Sequence, residues 1–331
     1  MSTIDLRGVV EEAERAVAAQ RRGEGYARFA ERDGGSDRDG GPDLYGTADA
    51  VGVFATLGRL DPDPAVRDRL AAAVVAFQQP DGRFVDDSHG VLHSTATAVG
   101  ALHLLGRPAP PPAFLEPLFQ PSAVEPFLDG LDWADPWLAS HDAAGLLAVA
   151  VMTGLDRPGF VTAYLSWLDA HVDPATGLWP RGGIGRLEEW PGLFGNLGCS
   201  FHLHFLLRHL GRPIPHAPQV VDTCLELASG TRAVFDAGSW GYPQLDWAYS
   251  LSRASRQSGH RVAETQEALR ALARALQHDL EHDGAPSVTG SHDLHTVGAV
   301  TALVAELSAA LGDELRTGAD LTPTTDLRPF I

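Results

Sequence analysis

The sequence predicts an all-α protein, an (α/α)6 toroid in which six helical hairpins make a double ring. Two observations predict it. Six segments open on polar or aromatic residues and close on a glycine: Asp43–Gly58, Val91–Gly106, Pro136–Gly154, Leu193–Gly211, Pro243–Gly259 and Asp293–Gly312. Their starts recur at intervals of about 50 residues, and second helix-like segments such as Pro64–Gln78, Gly159–His171 and Ala263–His282 fill the gaps. A helical hairpin cannot bury its apolar face alone, so neighbouring hairpins must stack, and six of them commonly close on themselves.

The elements follow in order. Over Ile4–Arg22 the apolar residues Leu6, Val9, Val10, Ala13, Ala16 and Val17 have helical spacing, which predicts an outer or capping helix. Gly23–Pro42 is rich in glycine and aspartate and reads as a solvent loop. Residues 1–42 are therefore assigned as a cap, 43–315 as the toroid and 316–331 as a proline-containing tail, with no site expected at either end.

Composition narrows the function. The chain has 331 residues without a break in composition, 44% of them apolar, which suits one domain with an ample core. No apolar run reaches 18 residues, and Met1–Val10 lacks the charged and apolar regions of a leader. The expectation is a cytoplasmic chain with no membrane span. Cys199 and Cys224 lack CxxC spacing, so neither a disulfide framework nor a cysteine-rich metal site is predicted. A formal charge of −18 argues against nucleic acid as a partner. The chain contains no lysine, which removes Schiff-base chemistry and a P-loop lysine together.

The second repeat carries the most specific motif. Gln78-Gln79-Pro80-Asp81-Gly82-Arg83-Phe84 is followed by His93-Ser94-Thr95-Ala96-Thr97-Ala98, and Tyr45-Gly46-Thr47-Ala48-Asp49-Ala50 echoes its second half. This resembles the Q-x-x-D-G-x-F/W repeat and H/Y-x-T-x-x-A inner helix of the protein prenyltransferase β-subunit and squalene/terpene cyclase superfamily. The glutamine is expected to tie one helix end to the next helix start, and the glycine to supply a positive φ. Leu245-Asp246-Trp247-Ala248-Tyr249-Ser250 resembles the D-x-C-Y-S segment that binds zinc in prenyltransferases, and Asp293-Leu294-His295-Thr296 the segment that supplies the zinc histidine. Alanine stands at the cysteine position, leaving too few ligands for a catalytic zinc, and no D-x-D-D motif of the cyclases is present. No metal or cofactor is predicted, and Asp246 and His295 become a candidate acid–base pair.

Asp246, Tyr249 and Arg253 share one helical stripe. They are read as an acid, a phenol and a substrate-anchoring cation, or else as a structural Asp–Arg pair. His141 is a further candidate catalytic imidazole, displaced by about 100° from its neighbour Asp142 on a helix. His202 and His204 cannot share a helix face, so one is expected to face the lumen and the other to pack between helices. Tyr45, His93, Trp137, Asn196, His202 and Trp247 are assigned to substrate binding, as is Trp190 from Glu188-Glu189-Trp190, read as an inserted loop at the mouth.

The resemblance implies an enzyme that acts on an isoprenoid-like or other apolar small molecule by general-acid or carbocation chemistry, with aromatic faces stabilising the cation. The alternatives are a carbohydrate-active hydrolase or lyase, which would need paired carboxylates among Asp142, Glu189 and Asp246, and a non-catalytic binding toroid. Substrate identity and oligomeric state stay open at this point.

Overall fold

The computed structural model describes residues 3–30, 40–155, 159–180, 192–229 and 240–330. Within them the chain is all-α apart from two-residue strands. In chain order the helices are α1 (Arg7–Ala19), α2 (Leu44–Thr56), α3 (Pro64–Val75), α4 (Val91–Leu104), α5 (Pro121–Asp129), α6 (Pro136–Met152) and α7 (Phe160–His171). They continue as α8 (Gly192–His209), α9 (Ala217–Ser229), α10 (Tyr242–Ser258), α11 (Val262–His282), α12 (Ala285–Thr289), α13 (Leu294–Leu311) and α14 (Thr324–Leu327).

Helices α2, α4, α6, α8, α10 and α13 are the glycine-terminated segments of the repeat. Each runs into a glycine of positive φ, at Gly58, Gly106, Gly154, Gly211, Gly259 and Gly312, where an L-residue would be strained and the helix must stop. Aspartate caps open three of them: Asp43, Asp135 and Asp293 each accept a backbone N–H from the first turn.

These helices are buried on nearly all sides, and all but α10 are predominantly apolar, which marks an inner layer. Along α2, buried residues run almost unbroken from Leu44 to Thr56. By contrast α11 buries only a stripe, Thr265, Leu269, Leu272, Ala273 and Leu276. In the inner layer α2 packs on α4, α4 on α6, α6 on α8, α8 on α10 and α10 on α13, and α13 packs back on α2. On the outside α3 lies against α2 and α4, α9 against α10, α11 against α13 and α10, and α1 against α13, while α5 pairs with α7.

The stretch Leu294–Glu314 does have the length and composition of a membrane-crossing helix, unlike the sequence expectation. Its apolarity is used inside the fold, where 67% of the window is buried between α2, α10, α1 and α11. Strand β1 (Ile4–Asp5) pairs in parallel with a strand at Leu315–Arg316, joining the first and last parts of the structure beside α1. Much of the expected Gly/Asp loop, residues 31–39, lies outside the described residues.

The threonine of the H/Y-x-T motif has a structural duty. Thr47 Oγ1 accepts the backbone N–H of Tyr26 at 3.1 Å, Thr95 Oγ1 that of Phe84 at 3.2 Å, and Ser200 Oγ that of Trp179 at 2.9 Å. A hydroxyl in the first two or three turns of an inner helix thus fixes the backbone of an aromatic in the segment before it. Gln78, expected to join two helices, instead donates to the Gly82 carbonyl inside its own turn at 3.4 Å, where Gly82 takes φ 90°. The Thr95→Val substitution keeps the shape but strands the buried Phe84 N–H. It should cost about 1–3 kcal/mol, read as a lowered urea midpoint at unchanged slope.

The tail departs furthest from expectation. Thr324, Thr325, Arg328 and Phe330 are buried, and α14 packs on α2 and α8. Thr324 meets the Thr56 hydroxyl at the C-terminal end of α2. From there the chain climbs between the inner helices until Phe330 lies edge-on to His93 at 5.0 Å and parallel to His202. An apolar side chain at that depth fills space that the helices alone leave open.

Candidate functional site

The inner helices bring their N-terminal turns together. Tyr45 of α2 hydrogen-bonds His93 Nδ1 of α4 at 2.5 Å, Ser140 of α6 bonds His202 Nδ1 of α8 at 2.8 Å, and Tyr242 of α10 bonds His295 Nδ1 of α13 at 3.3 Å. Between them lies a continuous cluster of rings. Tyr45 stacks on His89 at 4.4 Å, His89 on His93 at 4.6 Å, His93 meets His141 at 4.5 Å, and His141 meets Trp137 at 4.8 Å and His202 at 5.3 Å. His295 closes the far side against Tyr45 at 5.6 Å and Tyr242 at 4.7 Å.

Burial favours the neutral form of His89, His93, His141 and His202. It drives His89 and His202 down to about 4 and His141 to about 2, with like-charged neighbours adding to the shift at His89 and His141. His93 is lowered well below the ordinary range by burial and by the surrounding imidazoles. The rings stack rather than converge on a point. Among the described residues no group of three or more His, Cys, Asp or Glu is arranged to hold a metal ion.

The sign of the linkage is definite. A histidine of depressed folded pKa stabilises the fold fully above its unfolded value of 6.5. That contribution is lost as the pH falls through 6.5 towards the folded value, because only the unfolded chain takes up the proton. Stability should therefore fall between pH 6.5 and about 4, by about 1.4 kcal/mol per pH unit for each such histidine. His202→Gln should flatten that slope in denaturant titrations at stepped pH.

Asp246 lies on the α8 side of the cluster. A Cβ placed on Gly198 would come within 3.1 Å of Asp246 Oδ2 and 2.8 Å of the Trp137 ring, so the acid and the indole share the gap that this glycine leaves. The carboxyl is 5% exposed, its Oδ1 has no hydrogen-bond partner, and burial pushes its pKa well above the usual carboxylate range. Burial thus favours its protonated form. Trp137 is 43% exposed and opens this corner to solvent.

Several sequence assignments change. His295 does not pair with Asp246; its Nδ1 faces Asp49 Oδ2 at 3.1 Å, because α13 abuts α2 on that side. Arg253 is engaged within the fold, its guanidinium bound to Glu306 at 2.7 Å and to Asp326 at 2.9 Å. Tyr249 lies against that guanidinium, 5.2 Å from ring centre to Cζ, and below the cluster. Trp247 turns outward and donates to the Cys224 carbonyl of α9 at 2.7 Å. Asn196 donates to the Trp179 carbonyl at 2.8 Å and supports the preceding loop rather than a substrate. Tyr45, His93, His141, His202 and Trp137 do meet in one place, and His204 packs against Ser250 and Trp179 between helices. Trp190, Glu188 and Glu189 lie outside the described residues.

Asp49, His89 and the tail residues Arg328 and Phe330 were not among the residues assigned from sequence. Asp49 had a visible signal: it is a buried carboxylate one turn after Tyr45 on an otherwise apolar helix. Both cysteines are free and buried. No family model, curated protein or solved structure matches the chain.

Proposed function

We propose that the cyclic packing of the inner helices is an (α/α)6 toroid, and that its N-terminal end is the active site of an enzyme performing proton-transfer chemistry on an apolar, isoprenoid-like small molecule. One observation carries this reading: the buried Asp246 carboxyl, its Oδ1 without a hydrogen-bond partner and its pKa raised by burial, beside the exposed Trp137 indole. A buried carboxyl whose protonated form is favoured can act as a general acid.

In this scheme Asp246 gives its proton to a substrate double bond, and the carbocation formed lies against the faces of Trp137, Tyr45 and Tyr242. Neutral imidazoles suit that task, because imidazolium would repel the cation. His295, across the cluster with its Nδ1 facing Asp49, takes a proton through Nε2 from a carbon at the far end of the cation. A double bond re-forms there, His295 passes its proton to solvent, and solvent reprotonates Asp246.

The hydrolase reading is less well supported, since Asp142, the other described candidate, sits near Gly90 beside α4 while Asp246 lies at α8. The inserted tail favours one other reading, a binding toroid without catalysis. A panel of terpenols, isoprenoid diphosphates and oligosaccharides tests the choice. The proposal expects a melting-temperature rise and isomerised or cyclised product with an isoprenoid. A rise with oligosaccharides alone, or isoprenoid binding without any product, would overturn it.

A further inference from the structure

We propose that Arg328 is the anchor of a binding site for a compact oxyanion, a phosphate or carboxylate, on the floor of the lumen beneath the histidine cluster. The inference does not depend on Asp246 as an acid, and its readout is binding without turnover.

Arg328 is 2% exposed, yet its Nε and Nη1 have no hydrogen-bond partner. The other buried cations of this end are matched: Arg253 has Glu306 and Asp326, and Arg28 has Asp293 at 2.9 Å. A guanidinium cannot shed its proton, and an uncompensated buried charge costs several kcal/mol, on the order of what breaking a buried ion pair costs. Burial does act against the charged form here, with Asp49 and Tyr242 offsetting it only through space. The Asp49 carboxylate acts on it only through space and is turned to His295, which leaves the two open N–H groups for an anionic ligand.

The slot is shaped for the side chain. A Cβ on Gly100 would lie 3.1 Å from Arg328 Cδ and 3.2 Å from Nη1, and one on Gly52 would lie 3.4 Å from Nη2. Glycines on α2 and α4 thus let the guanidinium lie against both helices at one level. Above it stand Asp49, Tyr242 and the imidazoles. Because those imidazoles are held neutral, Arg328 remains the fixed positive charge at the bottom. The parallel inner helices add their positive N-terminal ends at the entrance. An anion that reaches this level meets the rings and the Asp49 carboxylate, which is turned to His295, and the open N–H donors of Arg328 offer it a charge-assisted hydrogen bond.

The experiment titrates the intact protein with sodium phosphate, sodium acetate and decyl phosphate at constant ionic strength, following melting temperature and heat of binding. Wild type should show a saturable rise with at least one of them, absent with chloride. Equal saturation by inorganic phosphate and decyl phosphate would identify a free anion as the ligand; tighter binding of decyl phosphate would identify the head of an apolar molecule. R328Q should be at least as stable as wild type without anion, because it removes an unpaired buried charge, and should bind about tenfold or more weakly. If R328Q does not fold, R328K keeps the charge, loses the planar fork and should bind severalfold more weakly. No saturable shift in wild type, or the same affinity in either variant, overturns the proposal.

Discussion

Asp246→Asn should lower turnover by about 100- to 10,000-fold while leaving the helical fold intact. The amide fills the same gap at Gly198 and needs no proton to remain neutral, so packing is conserved and only the donated proton is lost. Stability separates this outcome from a structural role. A carboxyl of raised folded pKa stabilises the fold below its unfolded value of 3.8 and loses that contribution as the pH rises through the folded value. The variant should match wild type near pH 3.8 and exceed it at pH 8, the gap opening by about 1.4 kcal/mol per pH unit until the folded pKa is passed. A variant that melts lower than wild type at pH 8 and retains activity would show that the acid is a packing group.

Arg253→Met should be the most destabilising single change. Glu306 is 1% exposed, and its carboxylate accepts from Arg253 Nε at 2.8 Å and from Nη2 at 2.7 Å. Removing the guanidinium leaves the buried Glu306 carboxylate facing no cation, at a cost of about 3–5 kcal/mol, while Asp326 of the tail keeps Arg208 at 2.8 Å. The double variant Arg253→Met/Glu306→Leu should recover most of the loss, since a well-packed apolar pair often replaces a buried ion pair without penalty. Urea midpoints of the two single variants and the double variant give the coupling directly. Near-additive losses would contradict an isolated pair.

Individual helices were legible in the sequence because their signals are local. The glycine that stops α4 at Gly106 and the aspartate that opens α13 at Asp293 each act within one turn. The stripe of Asp246, Tyr249 and Arg253 was equally legible as a helical face, but a face does not say what it meets. Arg253 meets Glu306 on α13, and Asp246 meets the gap at Gly198 on α8. The Asp49–His295 contact joins positions 246 apart and depends on the last inner helix lying beside the first. Such pairings follow from relative helix register, which no local pattern encodes. The tail, where no site was expected, shows the opposite limit: Phe330 and Arg328 occupy a space that exists only once the helices have assembled.

The return of α13 onto α2 bears on how the molecule denatures. In an open solenoid the terminal units fray first, and each hairpin contributes its own increment. Here every inner helix has a neighbour on both flanks, and β1 with α1 latches the first segment beside the last. Deleting any hairpin therefore exposes two broken interfaces instead of one. Unfolding should accordingly be a single cooperative event, with melting curves from tryptophan fluorescence and far-ultraviolet dichroism superimposing.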